Sequence, residues 1–346
     1  MTILRGAVVG FGKLGLLHAG LVNGLPNSKL DAVVESSGLV QRVVRQHFSD
    51  IEVVSTVDEL LDKRKPDFAI VATPTGSHIE IAKKFVHSRV PVFIEKPLSL
   101  TAQDAKPLIS ALSSNWVPNM VGYMGRYLDT FSKANQLIHS GVLGQVKMVR
   151  SSMYIEQLLK SGEGWRYDPK TSGGGVLITQ NSHLIDKLLW MFGEIVGVSG
   201  NTNKLVSQLV EDHVHAYLEF GSGAVGYIDA SWSARHFRTP TISIHAQGEY
   251  GTIDVNDDEV RLYLDRPTSD LPGGWNSWRK PDLYRPVPID IGGTQYTIQM
   301  VDFLQGVENN TELTSNVASA VRTQLVIDAI YESARLGGSR IKVLAD

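Results

Sequence analysis

The chain has 346 residues, a length that predicts about two domains of about 150 residues each. Its 33 Lys and Arg and 36 Asp and Glu residues give a formal net charge of −3, so it lacks the basic balance of a nucleic-acid-binding protein. No apolar run approaches the roughly 20 residues that a membrane helix requires. Because the chain has no cysteine, disulfides, thiolate metal sites and a cysteine nucleophile are excluded.

Through residue 122, short apolar strands alternate with amphipathic stretches of helical length. This alternation predicts an α/β domain over residues 1–122, with a parallel sheet covered by helices on both faces. The predicted strands are Ile3–Val9, Leu30–Val34, Asp67–Val71, Val90–Ile94 and Asn115–Val121. The predicted helices are Lys13–Asn23, Leu39–Phe48, His78–Ser88 and Ala102–Ser113. Because Arg5 and Gly6 interrupt the first apolar stretch, it does not resemble a signal peptide, and we expect a cytoplasmic protein.

After residue 122 the pattern changes to longer strands in which apolar and polar residues alternate. This predicts a second domain, residues 123–346, of α+β type with a large, mostly antiparallel, open-faced sheet. The predicted strands are His213–Phe220, Ala224–Trp232, Thr241–Ala246, Thr252–Val255, Glu259–Leu264 and Ile341–Leu344. The predicted helices are Thr130–His139, Gly175–Met191 and Ala318–Leu336. Leu264–Leu283, rich in Pro, Gly, Asp and Trp, is expected to be an irregular loop.

The sequence GFGKLG at residues 10–15 follows the first strand and begins a helix. In that position backbone N–H groups and the helix dipole can hold a pyrophosphate, which is typical of a Rossmann dinucleotide-binding domain. Glu35, at the end of the second strand, can accept hydrogen bonds from a ribose 2′-hydroxyl and would repel a 2′-phosphate, which favours NAD over NADP. The alternative is a glycine-rich turn and an unrelated surface Glu. The cofactor-binding candidates here are Gly10, Phe11, Gly12, Lys13, Leu14 and Glu35.

Two further turns follow predicted strands, at the edge where α/β sheets bind ligands. In TPTGSH, Thr73, Pro74 and His78 are cofactor-binding candidates, although a loop with a helix cap is an equal alternative for His78. In EKP, Glu95 and Lys96 are candidates, because an ammonium group beside NAD⁺ would have a lowered pKa and could bind a substrate oxygen. The alternative for this pair is a surface salt bridge.

Three glycines, 173–175, precede the predicted helix that carries His183. They would allow the helix to approach a cofactor or substrate closely, which raises His183 above the usual structural role of a lone histidine. With an ordinary pKa of about 6.5, His183 is the natural general acid or base. Thr179 and Lys187 lie four residues before and after it on the same helical face, and Asp186 is placed to orient it.

In their order, these motifs resemble those of the glucose–fructose oxidoreductase/inositol dehydrogenase/rhizopine-catabolism (Gfo/Idh/MocA) family. The likeness runs nearly end to end, through VVGFGKLG, TPTGSH, EKP, VGYMGRY, VLGQV, WRYDPKTSGGG, HLID, GEYGTIDV and AIYESA. It implies a nicotinamide-dependent oxidoreductase for sugars, polyols or their derivatives. It also implies a homodimer or homotetramer formed through the sheet of the second domain.

The resemblance further implies that Lys96 contacts substrate and nicotinamide, and that His183 is the catalytic histidine. The family pattern GGGxxxDxGxH has Thr179 at its aspartate and Asn181 at its glycine, so the carboxylate that would support His183 is absent. We expect the loops near Tyr154–Arg166 and Arg235–Thr239 to line the substrate pocket. The substrate-binding candidates are Arg126, Tyr154, Trp165, Arg166, Thr179, Asn181 and His183.

The sequence therefore predicts an NAD-dependent sugar or polyol dehydrogenase that transfers a hydride to or from a secondary carbinol carbon. Two alternatives keep the cofactor: net hydrolysis or isomerisation through transient oxidation, and a regulator without catalysis. No nucleic acid, membrane or metal is expected as a partner. His213 and His215 share a strand face without a carboxylate cluster, and a subunit contact explains them more simply than a metal site.

Overall fold

The chain forms two units in a computed structural model. The described residues are 3–48, 50–157 and 167–343. The first unit contains Met1–Met124 and Pro286–Val321, and the second contains Gly125–Arg285 and Arg322–Asp346. The sequence-based division at residue 122 assigned Pro286–Val321 to the second domain, whereas in the structure this segment belongs to the first unit.

The first unit has a sheet of parallel strands in the order β3-β2-β1-β4-β5-β6. The strands are β1 (Leu4–Val9), β2 (Ser28–Val34), β3 (Glu52–Val54), β4 (Phe68–Val71), β5 (Val92–Ile94) and β6 (Asn119–Val121). The order reverses beside β1, which pairs with β2 on one side and β4 on the other. This doubly wound arrangement confirms the predicted Rossmann sheet, in which ligands bind at the carboxyl ends of the strands.

Helices connect these strands. They are α1 (Lys13–Gly24), α2 (Gly38–His47), α3 (Val57–Lys63), α4 (His78–His87) and α5 (Ala102–Ser114). All four residues of β4 have no exposed surface, which explains why the strand is a continuous apolar run. The sequence pattern did not identify β3 and α3, because three and seven residues are too short for a clear period.

The second unit has a sheet in the order β14-β13-β12-β11-β7-β10-β9-β8-β15, antiparallel except for the β7–β10 pair. The strands are β7 (Met148–Tyr154), β8 (Ile195–Asn203), β9 (His213–Phe220), β10 (Val225–Ser231), β11 (Thr241–Gln247), β12 (Gly251–Asn256), β13 (Glu259–Leu264), β14 (Gly274–Arg279) and β15 (Ile341–Lys342). The large, mostly antiparallel sheet predicted from the sequence is confirmed.

One face of this sheet packs against helices. The helices α6 (Asp129–His139) and α8 (Ser182–Phe192) contact its strands, and the short helix α7 (Pro169–Ser172) lies between them in the chain. In β9, Val214, Ala216, Leu218 and Phe220 are buried, and the residues between them are half-buried or exposed. Leu184, Ile185 and Leu188 of α8 belong to the same apolar core. The face that carries the alternate residues of β9 is called the open face below.

The prediction of an irregular loop over Leu264–Leu283 is wrong in part, because this segment contains β14. The strand pairs with β13 along its whole length, from Glu259 opposite Arg279 to Leu264 opposite Gly274. Its sequence, GWNSWR, combines residues of low and high strand propensity, so the local signal is weak. Hydrogen bonds to β13 make it the edge strand of the sheet.

The segment Pro286–Val321 completes the first unit. It contains α9 (Thr294–Asn309) and the beginning of α10 (Val317–Arg335), which ends in the second unit. Phe303 of α9 is fully buried, with its ring centroid 5.8 Å from that of Phe68 and 5.6 Å from that of Phe93. A late part of the chain therefore completes the core under the sheet, which chain order alone does not indicate.

Candidate active site

The glycine turn after β1, residues 10–15, is packed as its sequence predicts. Gly10 has a φ of +84°, in the left-handed region that favours glycine. A Cβ on Gly15 would lie 1.9 Å from the carbonyl oxygen of Gly10, so only glycine allows α1 to approach β1 this closely. A Cβ on Gly12 would meet no atom within 4 Å. The backbone of Gly12 therefore faces open space that a ligand can enter.

Glu35 follows β2, and its carboxylate contacts the glycine turn. One oxygen accepts the N–H of Phe11 at 2.9 Å, and the other accepts the N–H of Ser37 at 2.8 Å. The hydroxyl of Ser36 also donates to this carboxylate, at 3.5 Å. An ionised carboxylate has about four acceptor positions, so about one remains for a hydroxyl group of a ribose, and a ribose could also displace the long bond from Ser36. The structure thus brings Glu35 and the glycine turn together.

The turn after β4 also contacts the glycine turn. The methyl carbon of Thr73 lies 2.8 Å from the position that a Cβ on Gly10 would occupy. The hydroxyl of Ser77 donates to Oγ1 of Thr73 at 2.8 Å and to the carbonyl oxygen of Pro74 at 2.8 Å. These bonds fix the turn beside the place where a dinucleotide would cross the sheet edge.

His78 is buried below this turn, with 1% of its surface exposed. Its Nε2 lies 2.7 Å from the carbonyl oxygen of Thr73, and its Nδ1 lies 3.0 Å from that of Pro97. Burial lowers the pKa of His78, and the two carbonyl groups oppose that effect only in part. The imidazole therefore connects the turns after β4 and β5. His78 would influence a bound cofactor only through the positions of these two turns.

Glu95 and Lys96 follow β5 on the same sheet edge. Glu95 is buried, and its Oε1 lies 2.7 Å from Nε2 of His18 on α1. Its Oε2 accepts the N–H of Lys96 at 3.1 Å. Lys96 itself is half-buried. No sequence pattern pointed to His18. Because Glu95 is buried and pairs with His18, the alternative of a surface salt bridge between Glu95 and Lys96 does not describe this turn.

These residues fit a bound dinucleotide. The open space at Gly12 lies at the N-terminus of the 12-residue helix α1, where N–H groups and the helix dipole favour a pyrophosphate. Residues 10–14 would hold this group, and the remaining acceptor position of Glu35 would hold the adenosine ribose. Because Ser36, Ser37 and Gly38 supply no cation after Glu35, the site favours NAD over its 2′-phosphate.

In the second unit, the predicted continuous helix over Gly175–Met191 is interrupted by a π turn. The π turn spans Leu177–Asn181, and α8 begins at Ser182. Its wider turn means that Thr179 and His183 do not stack as they would on an α-helix. Such turns are frequent at functional sites, because one extra residue displaces the side chains that follow.

At two of the three glycines before this turn, Gly174 and Gly175, the close neighbour is protein and not the expected ligand. A Cβ on Gly175 would lie 1.8 Å from the carbonyl oxygen of Glu211, and one on Gly174 would lie 2.1 Å from the hydroxyl of Tyr331. The carboxylate of Glu211 accepts the N–H groups of Gly175 and Leu177 at 2.8 and 3.1 Å, and the hydroxyl of Tyr331 at 2.7 Å. Glu211 thus fills this space and caps the helical stretch.

The π turn carries buried polar side chains. Thr179 Oγ1 donates to the carbonyl oxygen of Gly175 at 2.6 Å. Asn181 has no exposed surface, and neither atom of its amide has a hydrogen-bond partner among the described residues. Because an unsatisfied buried polar group costs about 1–3 kcal/mol, Asn181 is a candidate for binding a ligand hydroxyl. His183 follows two residues later and is half-buried.

Asp186 pairs with Arg126. Its two oxygens lie 2.8 and 2.5 Å from Nε and Nη2 of Arg126, and both side chains are buried. This geometry is a bidentate pair, the strong form of a charge-assisted hydrogen bond. Asp186, which was expected to orient His183, therefore pairs with Arg126. This pair balances the charge of the Arg126 guanidinium within the second unit.

Lys187, next to Asp186, is 1% exposed. Its Nζ lies 4.6 Å from the ring centroid of Phe131 and occupies the space that a Cβ on Gly125 would need. Burial lowers the pKa of Lys187 to about 8, although Asp257 and Asp186 act in the opposite direction. Burial also raises the pKa of Asp257. The sequence did not predict the burial of Lys187, because a lysine on a polar helix face is usually exposed.

Tyr154 lies on the open face of the sheet, opposite the face that α8 covers. Its hydroxyl donates to Asp229 at 2.5 Å, and its ring centroid is 5.1 Å from that of Phe237. Burial and Asp229 raise the pKa of Tyr154 to about 12. The structure therefore does not bring Tyr154 together with the residues of the π turn. The candidates Trp165 and Arg166 lie outside the described residues.

His213 makes side-chain contacts on the open face. Its Nε2 lies 3.0 Å from Asp229 and its Nδ1 lies 3.1 Å from the amide of Asn203. In the described part of the chain, no three His, Asp or Glu side chains are grouped so that they could hold a metal ion. Among the helices in the same residues, none has the length and apolar character needed to cross a membrane.

The sequence has curated relatives among sugar and polyol dehydrogenases. It is 30% identical over 237 residues to scyllo-inositol 2-dehydrogenase (NAD(+)) of Bacillus subtilis, a match that covers 66% of this chain and 67% of the relative. It is 26% identical over 308 residues to levoglucosan dehydrogenase of Pseudarthrobacter phenanthrenivorans, with 78% of each chain covered. The fold is similar to that of a levoglucosan dehydrogenase in complex with NADH and L-sorbose, with a TM-score of 0.89, 22% identity and full coverage of both chains.

Two family models match successive parts of the sequence. The model for an oxidoreductase family with an NAD-binding Rossmann fold matches residues 4–123. The model for the GFO/IDH/MocA C-terminal domain matches residues 131–254. The first match falls in the first unit and the second in the second unit, in the order that the motifs predicted. The chain belongs to the Gfo/Idh/MocA family of NAD-binding oxidoreductases.

Proposed function

We propose that this protein transfers a hydride between NAD and a secondary hydroxyl or carbonyl group of a sugar, a polyol or a related compound. The observation that carries the proposal is the common sheet edge of the first unit, where the glycine turn, Glu35 and Lys96 follow β1, β2 and β5. The reaction needs a dinucleotide site and a group that binds the reacting oxygen, and this edge supplies candidates for both.

In this proposal, Lys96 binds the substrate oxygen and offsets the negative charge that develops there. The nicotinamide, when bound, supplies or accepts the hydride. The turn that carries Lys96 is fixed from below, since Glu95 accepts its N–H and His78 contacts the carbonyl oxygen of Pro97. The backbone from which Lys96 extends is therefore held in place before a substrate binds.

His183 is proposed as the general base in oxidation and the general acid in reduction. The imidazolium formed in oxidation has no carboxylate at the position of Thr179, and the carboxylate of Asp186 is held by Arg126. Near His183, the neutral amide of Asn181 can bind a substrate hydroxyl, but it cannot balance the charge of the imidazolium. Because Thr179 and Asn181 are uncharged, this part of the site suits a substrate rich in hydroxyl groups, as scyllo-inositol and levoglucosan are.

We further propose that the protein is a homodimer or homotetramer assembled through the open face. This face carries the pairs His213–Asp229 and His245–Asp254, at 3.0 and 2.7 Å, and the half-exposed side chain of Tyr227. Fixed polar pairs beside an exposed aromatic ring suit an interface between copies. Sedimentation analysis tests this: Tyr227→Asp should yield monomers, and a wild-type monomer at micromolar concentration would refute the proposal.

The direct test of the activity is a screen of aldoses, uronates, inositols and nucleotide sugars with NAD⁺. Appearance of reduced cofactor with one class of compound supports the proposal and identifies the substrate class. Turnover of a compound without net reduction of cofactor would instead indicate transient oxidation. Tight NAD binding with no turnover of any of them would contradict the proposed catalysis.

A further inference from the structure

A buried pair joins α1 to the turn that carries Lys96. His18, on the inner face of α1, is 1% exposed, and Glu95 is 5% exposed. Nε2 of His18 lies 2.7 Å from Oε1 of Glu95. The other oxygen of Glu95 accepts the N–H of Lys96 at 3.1 Å. One carboxylate therefore connects an imidazole of the first helix to the backbone of the proposed substrate-binding lysine.

The surroundings allow the pair little movement. The ring centroid of His18 lies 4.9 Å from that of Phe93 on β5. A Cβ on Gly122 would lie 3.1 to 3.3 Å from the carboxylate atoms of Glu95, so this residue has no spare space on that side. Since interiors are close-packed, the carboxylate can leave its position only if neighbouring residues move as well.

The charge state of the pair follows from its contacts. Burial alone would raise the pKa of Glu95, but His18 and Lys96 outweigh it, and the pKa lies below its ordinary value. Nδ1 of His18 has no hydrogen-bond partner within the residues that the structure describes. Nε2 of His18 is therefore the ring nitrogen that donates to Glu95. Glu95 is then an anion that receives one strong hydrogen bond.

Other ionisable groups near Glu95 are few in the described part of the chain. They are His18 on α1, Lys96 on the same turn as Glu95, His78 on α4 and Tyr296 on α9. Burial and the charge of Glu95 both raise the pKa of Tyr296. His78 is held by two carbonyl groups, and Tyr296 is neutral at physiological pH. His18 is therefore the donor on which the ionised state of Glu95 chiefly depends.

We propose that His18 is a positioning residue, which keeps Glu95 ionised and thereby holds Lys96 in place for the reaction. The inference rests on the proposed function for its catalytic consequence. The step from His18 to Glu95 does not, because it concerns the protein without cofactor or substrate. It can therefore be tested separately.

The first test measures the titration of Glu95 in the cofactor-free protein, by carbon NMR of glutamate-labelled samples with Glu95→Gln to assign the signal. His18→Leu removes the donor and keeps an apolar side chain of similar size. Because a hydrogen bond to a charged group contributes about 1.5–3 kcal/mol, the pKa of Glu95 should rise by about 1–2 pH units. His18→Gln, whose amide can donate in place of Nε2, should restore most of the difference.

The control is Leu60→Ala, which removes buried volume from α3 of the same unit, a helix that carries neither member of the pair. It should lower stability and leave the titration of Glu95 unchanged. If Glu95 titrates alike in wild-type and folded His18→Leu protein, the proposal is overturned. If His18→Leu does not fold, His18→Met, which also lacks a donor, takes its place: a raised pKa of Glu95 supports the proposal, and titration as in the wild type contradicts it.

The second test uses turnover with the substrate found by the screen. His18→Leu should lower kcat about tenfold or more on the acid side and move the acid limb of its pH profile upward, with KM for NAD⁺ little changed. A merely structural residue would lower kcat equally at all pH values, and that outcome would contradict the positioning role. If no substrate is found at all, the proposed function fails, while the titration of Glu95 still answers the question about His18.

Discussion

The two units present their candidate site residues in different ways. In the first unit the residues follow strands and are fixed by backbone contacts, as the N–H of Phe11 shows with Glu35. In the second unit they lie on one helical stretch with a π turn, where buried side chains such as Asn181 and Lys187 determine the local chemistry. The first arrangement is suited to binding a constant cofactor, and in the second the candidate substrate residues are side chains that can vary while the fold is kept.

The largest expected effect tests whether the helical stretch carries the chemistry. His183→Ala should lower kcat by about 100-fold to 10,000-fold, because it removes a general acid–base group, and should leave NAD⁺ binding unchanged. Steady-state kinetics and calorimetric titration with NAD⁺ measure the two quantities. His139→Ala, at an exposed histidine of α6, is the matched control and should behave as wild type. Undiminished turnover in His183→Ala would remove this residue from the mechanism.

The next effect tests whether the second unit depends on its buried charges. Asp186→Asn removes the ionised partner that Arg126 has in this buried pair, and the free energy of unfolding should fall by about 3–5 kcal/mol. The double variant Arg126→Met/Asp186→Leu should lose less than the single one, since both charges of the pair are then removed. Urea denaturation measures both.

The control is the exposed pair Glu332–Arg335, where Glu332→Gln should change stability by less than about 1 kcal/mol. An equal loss in the single and the double variants at Asp186 would show that packing, rather than charge, determines the result. A loss of substrate affinity without a loss of stability would instead return Arg126 to a direct substrate contact.

A third effect concerns pH. The pKa of Lys187 is about 8 in the folded protein, whereas its ordinary value, taken for the unfolded chain, is 10.5. Between these two pH values the unfolded chain therefore binds more protons than the folded protein does. Stability therefore rises with pH through this window, and the cost of burying the charge is fully present below pH 8. Lys187→Met should remove this rise, a difference of a few kcal/mol across the window.

Denaturant unfolding at a series of pH values measures this difference. Leu188→Met changes a buried side chain on the same helix and should shift stability by the same amount at every pH. Parallel curves for wild type and Lys187→Met would mean that the ammonium group is stabilised in the folded state as well as it is in water.

The same contrast explains what could be predicted from the sequence. Strand, turn and helix follow one another locally around residues 10–15, so the glycine turn and Glu35 were identified from spacing and are in contact in the structure. His18 gave no signal, because its partner Glu95 lies 77 residues away and the contact depends on how α1 packs on the sheet. The π turn escaped prediction as well, since an α-helix and a helix with one extra residue share the same apolar pattern.

In the second unit, the contacts expected from sequence spacing differ from those that the folded chain makes. Asp186 lies near His183 in sequence but pairs with Arg126, 60 residues away. The glycines before the π turn suggested an approach of a ligand, yet Glu211 and Tyr331 occupy the space. Local patterns identify a glycine that the fold needs, but they do not say whether protein or ligand is its neighbour.

The smallest expected effect tests that distinction within the glycine turn itself. Gly12→Ala adds a Cβ in open space, so stability should be nearly unchanged, while NAD⁺ affinity should fall because the added methyl group occupies the approach of the pyrophosphate. Gly15→Ala places a Cβ against the carbonyl oxygen of Gly10 and should cost about 1–3 kcal/mol of stability. Thermal unfolding and calorimetric titration separate the two outcomes. If Gly12→Ala binds NAD⁺ as tightly as wild type does, the open space beside Gly12 is not the pyrophosphate site, and the cofactor must cross the sheet edge elsewhere.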